Sequence, residues 1–175
     1  MNIKELCVGA VIASIYVVVT YLCAPLSYGG IQFRISEALV LICFYNKKYI
    51  IPLTIGCAIA NILSPFGILD IVVGSSATLI ALVLVSKCKN IFIASLMPVA
   101  TSVIIGFELA IMNFDTYAFS LSNFDFLMFL LFSVQVAIGQ FVCVSIVGVL
   151  LWKKLETKKD FMTLIEANQN IEEGI

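Results

Sequence analysis

The chain places ionisable and amide side chains inside long apolar runs, where a charged group costs about 2.5–3.5 kcal/mol near the centre of a membrane helix. Carboxylates accept hydrogen bonds, and amides both accept and donate them. A cluster of such groups fits a ligand that has several N–H donors or a positive charge. The candidate binding residues, including one cation and one tyrosine of an external loop, are Arg34, Glu37, Asn61, Asp70, Glu108, Tyr117 and Gln140.

These residues also have ordinary structural explanations, which the sequence leaves open. Arg34 and Glu37 are three residues apart, so they can pair on one helix face. Asp70 can cap the start of a helix, because a carboxylate accepts from the first free N–H groups there. Glu108 can be a carboxylate at the level of the lipid headgroups. The two amides of the set can hydrogen-bond between helices.

Composition indicates that the elements carrying these residues lie in a membrane. Apolar residues make up 62% of the 175 residues and charged residues 12%, against about 45–50% and about 25% in soluble domains. The excess apolar surface is expected to face lipid, whose core requires about 20 apolar residues per helix. The sequence predicts an all-α integral membrane protein, a bundle of six transmembrane helices. Its apolar runs are 5–24, 31–46, 49–64, 70–86, 91–112 and 126–152.

Charge favours counting all six runs as spans. Run 31–46 is short, because as an α-helix it rises only about 24 Å against a core of about 30 Å. If every run crosses, all lysines lie on the side of the N-terminus and Arg34 is the one basic residue outside. Basic residues collect on the cytoplasmic side, so both termini are predicted to be cytoplasmic. The lysines are Lys4, Lys47, Lys48, Lys87, Lys89, Lys153, Lys154, Lys158 and Lys159.

With this topology the polar positions share the outer half of the membrane, which predicts a solute pocket that opens to the outside. Two external segments, 25–34 and 113–125, can cover it. Residues 1–155 are predicted to form the transmembrane substrate-binding domain, and 156–175 a polar cytoplasmic tail, loose or helical. The aromatic residues of the external segments can stack on a flat ring or anchor the interface. They are Tyr28, Phe33, Phe114, Tyr117 and Phe119.

The first helix carries small residues in place of buried charge. Gly9 and Ala13 form one pair four residues apart, and Ala10 and Ser14 form another. Small residues let a second helix approach closely. Two explanations stay open: packing against a helix of the same chain, and docking onto a partner subunit in the cytoplasmic half of the membrane.

Several chemistries have no residues to support them. The chain has no histidine, the commonest metal ligand and general base. Its six cysteines form no Cys-x-x-Cys pair and fit packing roles. It has no Gly-rich phosphate loop and no serine-hydrolase motif. A net charge of −1 gives no basic stripe for nucleic acid. We therefore expect a solute binder without metal or cofactor, not an enzyme, that depends on a partner for energy.

Two stretches resemble a known family. QFRISEAL at 32–39 and NILSPFGILDIVVG at 61–74 are similar to the queuosine-precursor (QueT-type) substrate-binding S components of energy-coupling factor (ECF) transporters. The resemblance runs over residues 1–155. The matching motif positions are Arg34, Glu37, Asn61, Ser64, Pro65, Gly67, Asp70 and Gly74.

The resemblance implies a role in uptake across the plasma membrane of a bacterium. The S component would bind a 7-deazaguanine from outside: 7-cyano- or 7-aminomethyl-7-deazaguanine, queuine, or queuosine. It would dock through helix one onto a transmembrane coupling protein carrying two ATPase subunits, which use the ATP. An S component for another vitamin-like solute, or a stand-alone membrane enzyme or channel, are the alternatives.

Overall fold

The structure is a computed structural model that describes residues 3–27, 32–64, 67–113, 118–121 and 124–165. It begins with the apolar helix α1, Ile3–Leu22, followed by one turn, α2, Ala24–Ser27. Helix α1 exposes isoleucine, leucine and valine side chains along one side and buries only four residues. Such a surface suits lipid contact on that side.

The second apolar run has an irregular backbone. Residues 32–34 are non-helical, with Gln32 at a φ of 49°. A 3₁₀-helix, Ile35–Leu41, then leads into α3, Ile42–Tyr45. Seven residues is long for a 3₁₀-helix, which is usually found in pieces of three or four residues. This 32–45 segment packs against α1 and against the later helices, so it lies inside the bundle and most of its side chains are buried.

Helix α4 follows a tight turn. The Asn46 side chain accepts a hydrogen bond from the Lys48 backbone N–H at 3.0 Å and so caps the 3₁₀ turn Lys47–Tyr49. Helix α4 then covers Ile50–Asn61. It packs between α1 and α5, and it therefore brings its last residue, Asn61, next to the start of α5.

The second half of the chain is built from longer helices: α5, Ile68–Val85, and α6, Ile91–Ile111. A third continuous helix covers 126–156, as α7, Phe126–Gln140, a π-helical stretch, Phe141–Gly148, and α8, Val149–Glu156. Helix α6 starts at an Asn90 cap and contains Pro98, whose ring nitrogen cannot donate within the helix.

The helical membrane class is confirmed. Four helices of the described chain, α1, α5, α6 and the 126–156 helix, are long and apolar enough to span a bilayer. The segments 35–45 and 50–61 are helical but shorter. The crossing count of six and the cytoplasmic position of both termini stay predictions. One feature was not predicted: Met112–Asn113 and Ala118–Phe119 form a short antiparallel ladder beyond α6.

A cluster of buried aromatic rings fills the lysine-bearing end of the bundle. Tyr45 stacks on Trp152 with ring centroids 5.3 Å apart, and Trp152 contacts Phe161 of α9, Lys159–Leu164. The indole N–H of Trp152 donates to the Ala38 carbonyl at 2.7 Å. The described part of the tail therefore packs back against the helices, closing this end.

Candidate functional site

Two of the predicted residues, Asn61 and Asp70, contact a third, Arg34. This side chain is only 6% exposed. Its Nη2 donates to Asn61 Oδ1 at 2.8 Å and lies 3.6 Å from Asp70 Oδ2. The Asn61 amide in turn donates to the Asp70 backbone carbonyl at 2.9 Å. Residues from the irregular segment, the end of α4 and the start of α5 thus share one buried network.

Gly74 makes room for this network. A Cβ at position 74 would lie 2.7 Å from Asn61 Nδ2 and 2.8 Å from Asp70 Oδ1. Real Cβ atoms do not approach polar atoms this closely, so any side chain there would displace the amide or the carboxylate. The glycine is explained by the packing of Asn61 and Asp70, one helical turn away.

The N-terminus of α5 does not use Asp70 as a cap. The N-cap position is Gly67, with a φ of 68°, and this residue has no side chain that could accept from the free N–H groups. Asp70 lies in the first turn of α5 and directs its carboxylate to Arg34 instead. The structure therefore favours an electrostatic role for Asp70 over the capping explanation.

Glu37 is held by a residue that the sequence analysis did not include. The Tyr16 hydroxyl of α1 donates to Glu37 Oε1 at 2.5 Å, and both side chains are at most 2% exposed. One turn further along α1, the Thr20 and Ser36 hydroxyls lie 2.6 Å apart. Tyr16 and Thr20, on successive turns of α1, thus contact the side chains of Glu37 and Ser36.

Arg34 and Glu37 line a narrow, partly open cavity between the helices. Only about 20 Å³ of it can admit water, room for about one molecule. A fused two-ring ligand needs several times that volume, so helices or side chains must move to admit one. The lining residues are Gln32, Arg34, Glu37, Gly74, Ala77, Thr78, Ala81, Pro98, Thr101, Ser102, Ile105, Val136 and Gln140.

The two remaining described candidates lie on α6 and α7. Gln140 lines the cavity, and its Oε1 is buried without a hydrogen-bond partner in the described part of the chain. Glu108 does not line the cavity but is 2% exposed and interacts electrostatically with Asp70 and Arg34. Glu108 is therefore enclosed by protein groups and does not lie at the exposed surface of the bundle.

Some predicted residues cannot be placed. Tyr117 lies outside the described residues, as do Pro65, Tyr28 and Phe114. Phe33 packs against the hydrophobic core and is not among the cavity residues.

Several polar residues at the site were missed by sequence reasoning. They are Tyr16, Gln32, Cys57, Thr78, Thr101 and Ser102. Cys57 illustrates the reason: its Sγ lies 3.3 Å from Thr78 Oγ1, yet a cysteine in an apolar run usually serves only packing. Hydroxyls spaced along an apolar helix were the available signal.

The two pairs of small residues on α1 lie in different environments. Gly9 is buried, and a Cβ there would lie 2.8 Å from Pro52 Cγ. A Cβ at Gly56 of α4 would lie 3.1 Å from the Ala13 carbonyl oxygen. Ala10 and Ser14 are exposed. They line an open apolar groove between α1 and α4. One pair therefore packs within the chain, while the other is available at the surface.

Metal-ligating side chains do not gather in the described residues, where no group of three His, Cys, Asp or Glu is placed to hold an ion. The six cysteines, all in the described part, are free thiols.

The fold and the site together define a class. Apolar helices long enough to span a bilayer surround a narrow cavity lined by a guanidinium, a carboxylate, an amide and hydroxyls. This arrangement is typical of multi-pass membrane proteins that bind a polar solute. A sequence model of the QueT transporter family matches residues 6–157. The chain belongs to the QueT transporter family, and membership of a transporter family agrees with the expectation of a non-enzyme.

A relative supports this assignment over part of the chain. It is the queuosine precursor transporter QueT of Lactococcus lactis subsp. cremoris (strain MG1363), which is 49% identical over 75 residues. The match covers 42% of this chain and 44% of the relative, less than half of the relative's length. No solved structure matches this fold significantly.

Proposed function

We propose that this protein is the substrate-binding S component of an ECF-type transporter and that it binds a 7-deazaguanine, a precursor or salvage form of queuosine. The observation that carries the proposal is the buried Arg34–Asn61–Asp70 network beside Glu37 at the central cavity. Family membership and the name of the L. lactis relative support the same ligand class.

The cavity chemistry suits the edge of a guanine-like ring. Such an edge carries an N–H and an NH₂ side by side, and one carboxylate can accept from both. Glu37 is the carboxylate that lines the cavity, and Tyr16 fixes one of its oxygens. Gln140 can donate to the ring carbonyl through its amide. Glu37 would therefore read the base, and Gln140 would orient it.

Six crossings require the two short helical segments to span as well. The 35–45 segment reaches about 20 Å, because seven 3₁₀ residues at about 2.0 Å and four α residues at about 1.5 Å sum to that length. A span shorter than the hydrocarbon core is accommodated by local thinning of the bilayer or by flanking side chains that extend to the headgroups. The 47–61 segment reaches about 24 Å by the same rises, and Lys47 and Lys48 can extend to the headgroups. Both termini would then be cytoplasmic, in the plasma membrane of a bacterium.

The outward face of α1 would dock onto the transmembrane coupling protein, which carries two ATPase subunits that use the ATP. Exposed Ala10 and Ser14 leave an apolar groove beside Pro52 that a partner helix can fill. We expect Ala10→Leu to abolish co-purification with the coupling module while ligand affinity stays unchanged. Val72→Leu, at a position 59% exposed on α5, is the matched control and should retain assembly. Equal loss of assembly in both variants would reject this docking face.

The substrate class is tested by ligand-induced thermal shift and calorimetry on the detergent-solubilised protein. The panel contains 7-cyano-7-deazaguanine, 7-aminomethyl-7-deazaguanine, queuine and queuosine, with guanine, riboflavin and thiamine as controls. We expect deazaguanines to bind and raise Tm, and guanine to have little effect. Binding of a control vitamin alone would assign the protein to another solute. Folded protein that binds no deazaguanine would reject the proposed substrate.

A further inference from the structure

Glu108 is the least satisfied charged group of the described bundle. It is 2% exposed, and neither of its carboxylate oxygens has a hydrogen-bond partner among the described residues. A buried carboxylate without partners is strongly unfavourable unless a proton or a cation neutralises it. Something other than the contacts of the folded chain is therefore expected to stabilise Glu108.

Helical spacing places Glu108 one turn beyond the cavity-lining residues of α6. On α6, the cavity-lining residues Pro98, Thr101 and Ile105 follow spacings of three and four, which keep side chains on one helix face. Glu108 comes three residues after Ile105 and continues that face by a turn. Asp70 continues the cavity face of α5 beyond Gly74 in the same way, and the two carboxylates interact electrostatically.

The charges of this region do not balance. Glu37, Asp70 and Glu108 are all at most 3% exposed, and their basic neighbour is Arg34. Arg34 already contacts Asp70 and Asn61. The lysines of the described chain lie at the opposite end of the helices, in the first turn of α1, between helices or after Trp152. The described bundle therefore supplies one positive charge for three carboxylates.

We propose that Glu108 is the counter-ion of a protonated amine on the ligand, so that the site selects a cationic deazaguanine. This inference rests on the proposed function and specifies its substrate. An alkylamine such as an aminomethyl group carries a positive charge at neutral pH, whereas a nitrile at the same ring position carries none. A charge-assisted hydrogen bond to Glu108 would stabilise the first ligand only. Glu37 would contact the ring edge that both ligands share.

The test compares two ligands that differ at one substituent, 7-aminomethyl- and 7-cyano-7-deazaguanine, by calorimetry. We expect the wild-type protein to bind the amine at least about 10-fold more tightly, the ratio that one charged contact can supply. Glu108→Gln should weaken the amine by about 10-fold or more and leave the nitrile within about 3-fold. Glu37→Gln, the matched carboxylate control, should weaken both ligands similarly.

Other results would overturn the inference without affecting the proposed function. These are equal wild-type binding of both ligands, a preference for the nitrile, or an unchanged amine preference in Glu108→Gln. Glu108→Asp keeps the charge and should keep the preference, and it serves if the glutamine variant does not fold. If the wild-type protein binds neither deazaguanine, the proposed substrate and this inference both fall.

Discussion

The two ends of the bundle differ in whether their buried polar atoms are hydrogen-bonded. At the closed end, formed by Tyr45, Trp152, Phe161 and Ile165, the Trp152 N–H bonds to the Ala38 carbonyl, and the Ile165 carbonyl accepts from Asn46. The Tyr45 hydroxyl is an exception. The cavity end is formed by Arg34, Asn61, Asp70 and Glu108. Here Oδ2 of Asp70 and both carboxylate oxygens of Glu108 have no hydrogen bond to any residue that the structure describes.

This contrast separates stability from binding within one small protein. The closed end is packed with rings and its hydrogen bonds are mostly satisfied, so its residues should act on folding. The cavity end retains unsatisfied acceptors in an apolar environment, a cost that a ligand with N–H donors can offset. Substitutions at the two ends should therefore change different measurements.

The largest effect is expected from Arg34→Gln. The variant removes the positive charge that stabilises Asp70 and leaves buried carboxylates uncompensated, which should cost about 3–5 kcal/mol. Ligand binding should fall below detection, and the Tm in detergent should drop. Lys48→Gln is the control, because Lys48 pairs with Glu5 at a position 46% exposed and its loss should cost at most about 1 kcal/mol. Similar Tm changes in the two variants would contradict the buried network.

A smaller effect is expected from Tyr16→Phe. The change deletes the hydroxyl that donates to Glu37 and keeps the ring, so ligand affinity should fall by about 1.5–3 kcal/mol, the value of a hydrogen bond to a charged group. Calorimetry measures the loss. Tyr21→Phe is the matched control on the same helix, since the Tyr21 side chain is 59% exposed. Unchanged ligand affinity in Tyr16→Phe would show that Tyr16 of α1 does not contribute to ligand binding.

The smallest effect is expected at the closed end. Trp152→Phe keeps an aromatic ring but leaves the Ala38 carbonyl without its donor, which should lower the free energy of unfolding by about 1–3 kcal/mol. The Tm should fall while ligand affinity in the folded protein stays unchanged. If Trp152→Phe lowered ligand affinity as well as stability, the two ends of the bundle would not have separate roles in folding and binding.

The sequence predicted site residues best where a polar side chain lies within an apolar run. Charged and amide residues in apolar runs marked Arg34, Asn61 and Asp70 as a group, and the structure brings them into contact. Apolar run length predicted the helices, because a bilayer core sets how many residues a helix needs. Whether the whole candidate set binds ligand stays a prediction.

Other parts of the site depend on packing that no local pattern reveals. Tyr16 lies in a helix without charge, and its role depends on facing Glu37 of a different segment. The 3₁₀ backbone of Ile35–Leu41 has no distinct sequence signature, since its residues are as apolar as those of an α-helix. Gly74 was recognised only as a motif position; its steric reason appears once Asn61 and Asp70 are placed beside it.

Helix α1 connects its outward small-residue face to the binding site through close contacts. Gly9 lies close to Pro52, and Gly56 lies close to Ala13, so α1 and α4 approach each other closely at these two positions. Ser14 faces outward, and Tyr16, two residues later, holds Glu37. A partner that binds the outward face therefore contacts α1 two residues away from the side chain that holds the cavity-lining carboxylate. A small rotation of α1 on docking would change the Tyr16–Glu37 hydrogen bond and, with it, the position of Glu37.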